Sequence, residues 1–405
     1  MAERPTASKT KARPSLSRGR QGRTMAQTNR RATAENKASV GAKRRSTLEI
    51  AKPIGLTFQS KIGAKSTSSR VHLTPKQQSA EKFLDTIMDL GMRGMRKEFL
   101  TSVRPYTSSG PKLAWRILEN KDKNRYEDVE LLDDTRVKLK NNSETGKPHD
   151  DYIHASWVKV HDDLMYICAQ GPLPNTIHHF WLMVLQEKSK VILQLCSFFE
   201  EDKEKCAQYF PTEAEGNSWK AYGPVEVRVL ERQTNIPTMK KVVKTKLQVK
   251  LKDETLDVLH ILYGGWPDHS VADSVTCCRE VHALVHKVFE KKPIVAHCSA
   301  GIGRTGTFVA VDMCLHRIVT LNDMTFTLPD ITKDLRDQRF KAIQNDQQYV
   351  FVSRAVIEIL VHDDVLEKSD RVIGFISEYD ELVARKRQER EKANKEKEKD
   401  KSSTR

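Results

Sequence analysis

Cys298 and Arg304 stand six positions apart, with only Ser299, Ala300, Gly301, Ile302 and Gly303 between them. A cysteine thiolate is a nucleophile, and a guanidinium fork grips an oxyanion with two parallel hydrogen bonds. The small residues between them let backbone N–H groups approach an anion closely, and the two glycines allow the sharp turn this requires. From Arg304 the spacing of Phe308, Val311, Leu315 and Ile318 is helical, so the loop opens straight into a helix N-terminus. Free N–H groups and partial positive charge collect at such a terminus. All of these features favour Cys298 as a thiolate. Nucleophile, donor ring and arginine together form a site for attack on a phosphate group.

Elements of definite type must position these residues. Ile294 and Val295, just upstream, read as a buried strand. A bare Cys-x5-Arg is a frequent coincidence; strand, small-residue loop and helix in succession give it weight. Val225, Val227 and Val229 alternate with Glu226 and Arg228, predicting a half-buried strand. Leu247, Val249 and Leu251 alternate with Gln248, Lys250 and Lys252 in the same way, and a turn at Asp253-Glu254 leads to a partner strand, Leu256 to Tyr263. Val191 to Leu195 reads as a further buried strand. Thr74-Pro75 predicts a helix start, followed by Phe83, Ile87, Met88, Leu90 and Phe99. Helices are also expected over Cys277 to Phe289 and from Gln348 to about Val361.

The run His297 to Phe308 resembles, residue by residue, the signature loop of the protein tyrosine phosphatases. Four further segments match in family order: Asn124-Arg125-Tyr126-Glu127-Asp128-Val129, Glu200 with the later Lys205 to Pro211, Trp266-Pro267-Asp268, and Gln344-Asn345-Asp346-Gln347-Gln348. The resemblance spans roughly residues 75–362. It implies one α/β domain, a twisted mixed β-sheet with helices on both faces, and hydrolysis of phosphotyrosine by a single non-receptor catalytic domain. It also implies roles. Cys298 is the nucleophile, and Arg304 with the amides of Ser299, Ala300, Gly301, Ile302 and Gly303 binds the phosphate. Asp268, on a mobile loop with Trp266, is the acid and then the base. Gln344 positions the water and Gln348 assists. Thr305 helps the sulfur leave, and His297 orients the loop. Tyr126 stacks on the substrate ring, Asp128 holds its backbone, and Glu200 braces Arg304. No metal or other cofactor is required, because the arginine and amides supply the positive field.

Departures from the family pattern carry expectations of their own. His154 stands where Asn is usual and Ala169 where Thr is usual. Ser270 and Ala272 stand where Gly and Pro are common, and Ser270, with less backbone freedom than Gly, is expected to slow closure of the acid loop or shift its equilibrium. Lys341 replaces a common Gly beside the entrance and is expected to narrow it. The rival readings are a catalytically dead phosphotyrosine-binding module and a shallow dual-specificity pocket. Cys298, Arg304 and Asp268 together argue against the first, and the Tyr126 loop with Trp266-Pro267-Asp268 against the second.

Charge divides the chain. Residues 1–70 carry 17 Lys/Arg against three Asp/Glu, whereas the rest carries 52 against 51. The net +15 is therefore a property of the N-terminal segment. Residues 1–72 are expected to be a disordered basic tail, 73–365 the catalytic domain, and 366–405 a charged tail, helical or disordered. The basic tail suits acidic partners, a membrane surface or nucleic acid, or is a solvated arm with no partner. Arg30-Arg31-Ala32-Thr33 and Arg44-Arg45-Ser46-Thr47 resemble sites for basophilic kinases. The seven cysteines show no metal-ligand spacing, and several lie among apolar residues. With no apolar run long enough for a bilayer and no secretory segment, a cytoplasmic enzyme is expected, nuclear access being open to it through the basic tail.

Overall fold

Four residues of apolar strand have no stability alone, and Ile294–His297 depends on strands hydrogen-bonded to both of its edges. The fold is described from a computed structural model, over residues 72–140 and 151–403. These belong to one unit, Ser69–Arg405. The unit Met1–Ser68, with the basic tail and both Arg-Arg sites, lies outside the described residues. In chain order the elements are α1 (Pro75–Glu98), α2 (Leu113–Arg116), β1 (Arg136–Lys138), β2 (Tyr152–His161), β3 (Leu164–Ala169), α3 (Ile177–Gln186), β4 (Val191–Gln194), β5 (Phe199–Glu200), β6 (Lys203–Glu204), β7 (Lys220–Tyr222), β8 (Val225–Gln233), β9 (Val242–Leu251), β10 (Glu254–Tyr263), α4 (Val275–Val288), β11 (Ile294–His297), α5 (Arg304–Leu315), α6 (Leu328–Gln338), α7 (Asp346–His362) and α8 (Asp370–Ser403).

Nine strands form one sheet in the order β1-β2-β3-β11-β4-β10-β9-β8-β7. The strand β11 runs parallel to both neighbours, with Ile294 opposite Tyr166 on one side and Val191 on the other. β10 is parallel to β4, and the remaining pairs are antiparallel. The sheet is thus mixed and twisted, with helices on both faces. All four residues of β11 are buried, as befits a central parallel strand covered on both faces. In β8 the alternation resolves as read: Val225, Val227 and Val229 are buried and Glu226 and Arg228 half-buried. The predicted hairpin is β9–β10, with Leu256 opposite Val249.

Helix α5 is buried along nearly its whole length, Phe308 to Cys314 included. Its surroundings rather than an amphipathic stripe hold it in place, and so the helix behind the loop is rigid. Helix α1 starts as read, Thr74 N–H donating to Gln77 Oε1 at 2.9 Å. Phe83 and Ile87 are buried on it, and Phe99 just beyond its end. The packing continues past residue 365. Val372, Phe375, Tyr379 and Leu382 lie on one face of α8 and are buried against the core, with Val372, Phe375 and Leu382 each contributing about 1.5–3 kcal/mol before the cost of ordering the segment. Among the described residues no helix is long and apolar enough to cross a membrane.

Candidate active site

Cys298 follows β11 directly and is 3% exposed. Its Sγ accepts a hydrogen bond from Gly301 N at 3.2 Å. The loop after it keeps its carbonyls occupied from behind. Ser299 O accepts from Gly171 N at 2.9 Å and Ile302 O from Ile343 N at 3.0 Å. Ala300 O and Gly301 O both accept from the Arg339 guanidinium at 3.0 Å. In a trans peptide the next N–H points opposite to the carbonyl. Tying back four successive carbonyls therefore turns the N–H groups of Ala300, Gly301, Ile302 and Gly303 toward the mouth of the loop. Glycine is required at two places. Gly301 has φ +70°, and a Cβ there would lie 2.0 Å from Ala169 O; one on Gly303 would lie 2.1 Å from Gln344 Oε1.

Arg304 is the first residue of α5 and is 2% exposed. Glu200 holds it bidentately, Nη1 to Oε1 at 2.6 Å and Nη2 to Oε2 at 3.1 Å. Nη1 also donates to Trp266 O at 2.8 Å, and Nη2 to Asp268 Oδ1 at 3.2 Å. The Trp266–Asp268 segment is thus fastened to the arginine that ends the Cys298 loop. Burial alone would weaken the guanidinium's hold on its proton, but Cys298 and Glu200 outweigh it and raise the pKa above the ordinary value. Asp268 shows the opposite balance. Burial pushes its carboxyl up, yet Arg304 and Lys205 hold it below the usual carboxylate range. Lys205 Nζ is 2.7 Å from Asp268 Oδ2.

The other expected residues take definite places. His297 is buried, its pKa depressed to about 4 chiefly by that burial. Its Nε2 meets Tyr209 OH at 2.9 Å and its Nδ1 meets Cys298 O at 3.3 Å, so it braces the loop's backbone. Thr305 Oγ1 is buried and, among the described residues, has no hydrogen-bond partner. Tyr126 packs beside Ala300 and Ile302, its hydroxyl 2.7 Å from Ser299 Oγ. Asp128 is exposed on the rim. Gln344 lies against Gly303, and its backbone N–H donates to Gln348 Oε1 at 2.9 Å. Gln348 Nε2 reaches Ser270 O at 3.5 Å, linking the glutamine loop to the acid loop. Trp266 anchors the acid loop, Nε1 donating to Ser270 O at 2.9 Å.

Sequence reasoning missed several supporting residues. Arg339 holds the phosphate loop from behind, and Lys205 grips the acid. Arg125 donates to Gly171 O at 3.0 Å and Pro172 O at 2.7 Å, seating the recognition loop. His154, noted only as a departure, accepts from Arg339 Nη2 at 3.1 Å through Nδ1 and meets Val129 O at 2.9 Å through Nε2. It couples the recognition loop to the arginine behind the phosphate loop. Burial, reinforced by Arg339, pulls its pKa down to about 3 and keeps the ring neutral. From α8, Arg390 Nη2 donates to Asp268 O at 2.9 Å, a contact no local pattern signals.

Two departures from the family pattern take definite conformations. The left-handed residue of the acid loop is His269, with φ +52°, and Ser270 has no positive φ. Serine at 270 takes a backbone conformation ordinary for a residue with a Cβ. Lys341 does have φ +58°, where glycine is at ease. Its Nζ, however, donates to Asp128 O at 2.7 Å and lies 3.4 Å from Asp128 Oδ2. It engages the residue expected to hold the substrate backbone. We expect Lys341→Gly to raise stability by about 1 kcal/mol through relief of the left-handed conformation. It should lower KM for phosphopeptides by freeing Asp128, and leave kcat on a small aryl phosphate unchanged. Thermal melting and peptide kinetics check this; unchanged KM and Tm would make the lysine a surface charge only.

Comparison with known proteins adds an independent line. The family model described as protein-tyrosine phosphatase matches residues 120–358, more than half of the chain. The chain is similar to the human tyrosine-protein phosphatase non-receptor type 2, 37% identical over 248 residues that cover 59% of this chain and 56% of that protein. It is similar also to the Lar-like tyrosine-protein phosphatase of Caenorhabditis elegans, 36% identical over 251 residues, 59% of this chain and 10% of the relative. The chain thus spans about a tenth of one curated relative and about half of the other. The solved structure of PTPN18 in complex with HER2-pY1196 phosphopeptides matches with TM-score 0.62 and 27% identity, covering 70% of this chain and 99% of that one.

Proposed function

The chain belongs to the protein-tyrosine phosphatase family, and from that premise we propose that it hydrolyses phosphotyrosine in proteins through a cysteinyl-phosphate intermediate. One arrangement carries the reading. Arg304, at the end of the Cys298 loop, is held by Glu200 at 2.6 Å and touches Asp268 at 3.2 Å. Phosphate clamp, nucleophile loop and acid are thereby gathered in one place.

The Cys298 sulfur attacks phosphorus in line, forming the S–P bond as the bond from phosphorus to the tyrosyl oxygen breaks. Arg304 and the amides of residues 299–304 receive the equatorial oxygens, where transition-state charge lies. Asp268 gives its proton to the departing phenolic oxygen. In the second step a water placed by Gln344, with Gln348 behind it, attacks phosphorus. Asp268 takes that water's proton, the S–P bond breaks, and inorganic phosphate leaves. The Thr305 hydroxyl, which has no hydrogen-bond partner among the described residues, is available to the departing sulfur. Tyr126 and Asp128 form the wall and rim that receive the phosphotyrosine ring and its backbone.

We assign catalysis to residues 73–365, supported by the packed first turns of α8. We place the enzyme in the cytoplasm, where its seven unpaired cysteines stay reduced. Acidic partners of the N-terminal tail belong to the same proposal. The test is phosphate release by the full chain from matched phosphotyrosine and phosphoserine peptides. Release from the phosphotyrosine peptide alone is expected. Binding without release would make the protein a recognition module, and equal rates on both peptides would make the pocket dual-specific; either overturns the reading.

A further inference from the structure

Away from the phosphate loop, His282 and His286 lie four residues apart on one face of α4, and both aim Nε2 at Asp312 of α5. His282 Nε2 is 2.6 Å from Asp312 Oδ1; His286 Nε2 is 3.0 Å from Oδ1 and 3.1 Å from Oδ2. The three ligand atoms all lie within 4.8 Å of one another. Asp312 is 5% exposed, and Tyr166 OH on β3 donates to its Oδ2, fixing the plane of the carboxylate. The group borders a cavity of about 560 Å³ that is also lined by His161, His316 and His362.

We propose that His282, His286 and Asp312 form a binding site for a divalent transition metal, Zn²⁺ being the ion that fits the donor set best. Two imidazoles and one carboxylate are a recurrent zinc triad, and a fourth position is left for water. An ion pair with the buried carboxylate needs one imidazole. Here two converge on a single oxygen, and the tyrosine behind it holds the carboxylate as outer partners of metal ligands do. The adjoining cavity provides access and room for the water. Asp312 lies eight residues beyond Arg304 on the same buried helix, about 12 Å along its axis. Zinc would tie α4 to the helix that carries the phosphate clamp without entering the reaction. The first two ligands are written in the sequence as His-x3-His, while the third comes only from helix packing.

The competing soft ligand is Cys298, so the test uses the full chain carrying Cys298→Ser. Residues 1–70 contain no His or Cys and bring no competing donor of that kind. Calorimetric titration with Zn²⁺ is expected to show one site per chain. Titration with Co²⁺ should give the visible absorption bands of a four-coordinate site. His286→Asn in this background, and Tyr166→Phe as a near-isosteric second variant, should each weaken Zn²⁺. The tyrosine change should cost about 10–100-fold, the usual effect of losing a group behind a metal ligand, and the histidine change more. Thermal melting without metal confirms that each variant is folded. Absence of a stoichiometric site in the parent overturns the proposal, as does equal affinity in the parent and both folded variants.

Discussion

Cys298→Ser is expected to abolish turnover of a phosphotyrosine peptide, by on the order of 10⁴-fold or more, while the peptide still binds. The reason lies in what surrounds the sulfur. A serine hydroxyl must lose its proton to a base before it attacks, and the hydrogen-bond partner of Cys298 Sγ among the described residues is the backbone N–H of Gly301 at 3.2 Å, not a basic side chain. His297, the nearest in sequence, is buried with its pKa depressed to about 4, and its ring nitrogens face Tyr209 OH and Cys298 O. Sulfur is intrinsically the stronger nucleophile and gives up its proton far more readily than a hydroxyl. Binding survives because the oxyanion is held by Arg304, itself fixed by Glu200 at 2.6 and 3.1 Å, and by loop amides whose carbonyls are tied back by Arg339. Steady-state rates and calorimetry on the purified variant measure the two halves. Residual activity near the parent rate would remove Cys298 from the chemistry. Loss of binding along with turnover would mean that the substitution disturbed the loop instead. The same role as a sulfur nucleophile predicts reversible inactivation by peroxide.

Asp268→Ala should lower kcat by about 10²–10⁴-fold, the usual worth of general acid–base help, with a smaller effect on KM. Burial raises the carboxyl's pKa, but Arg304 and Lys205 together draw it below the usual range. Bound phosphate engages Arg304 and brings negative charge beside Asp268. Both changes favour the protonated carboxyl, so binding is expected to put Asp268 in the form a general acid needs. The basic limb of the kcat profile should then belong to Asp268 and flatten in the alanine variant. The penalty should shrink for an aryl phosphate whose leaving group departs without a proton. An unchanged rate with a phenyl ester that needs protonation would assign the acid elsewhere.

How much of this was legible beforehand depends on how far apart the cooperating residues lie in the chain. Cys298, the loop glycines and Arg304 are contiguous, and the strand before them and helix after them follow from local apolar spacing. That was sufficient to read the strand, turn and helix around Cys298 and Arg304 and the alternating strands β8 to β10. The His297 to Phe308 run and the Trp266-Pro267-Asp268 and Tyr126 segments were legible through their resemblance to a family pattern. Arg339, His154, Lys205 and Arg390 were not. Each acts on the site through a contact between segments far apart in sequence, such as Arg339 on Ala300 O or Arg390 on Asp268 O. Period-two alternation tells which face of a strand is buried but not which strand lies beside it. Only the sheet order, with β11 between β3 and β4, places Ala169 O against Gly301 and puts His154 within reach of Arg339. Lys341 shows the same limit: its sequence position put it near the entrance, but a left-handed backbone and the nearby Asp128 carbonyl determine where its charge goes. Local physical chemistry wrote the reactive loop into consecutive residues. The packing of distant segments decided what holds that loop rigid, because those contacts exist only once the sheet has assembled.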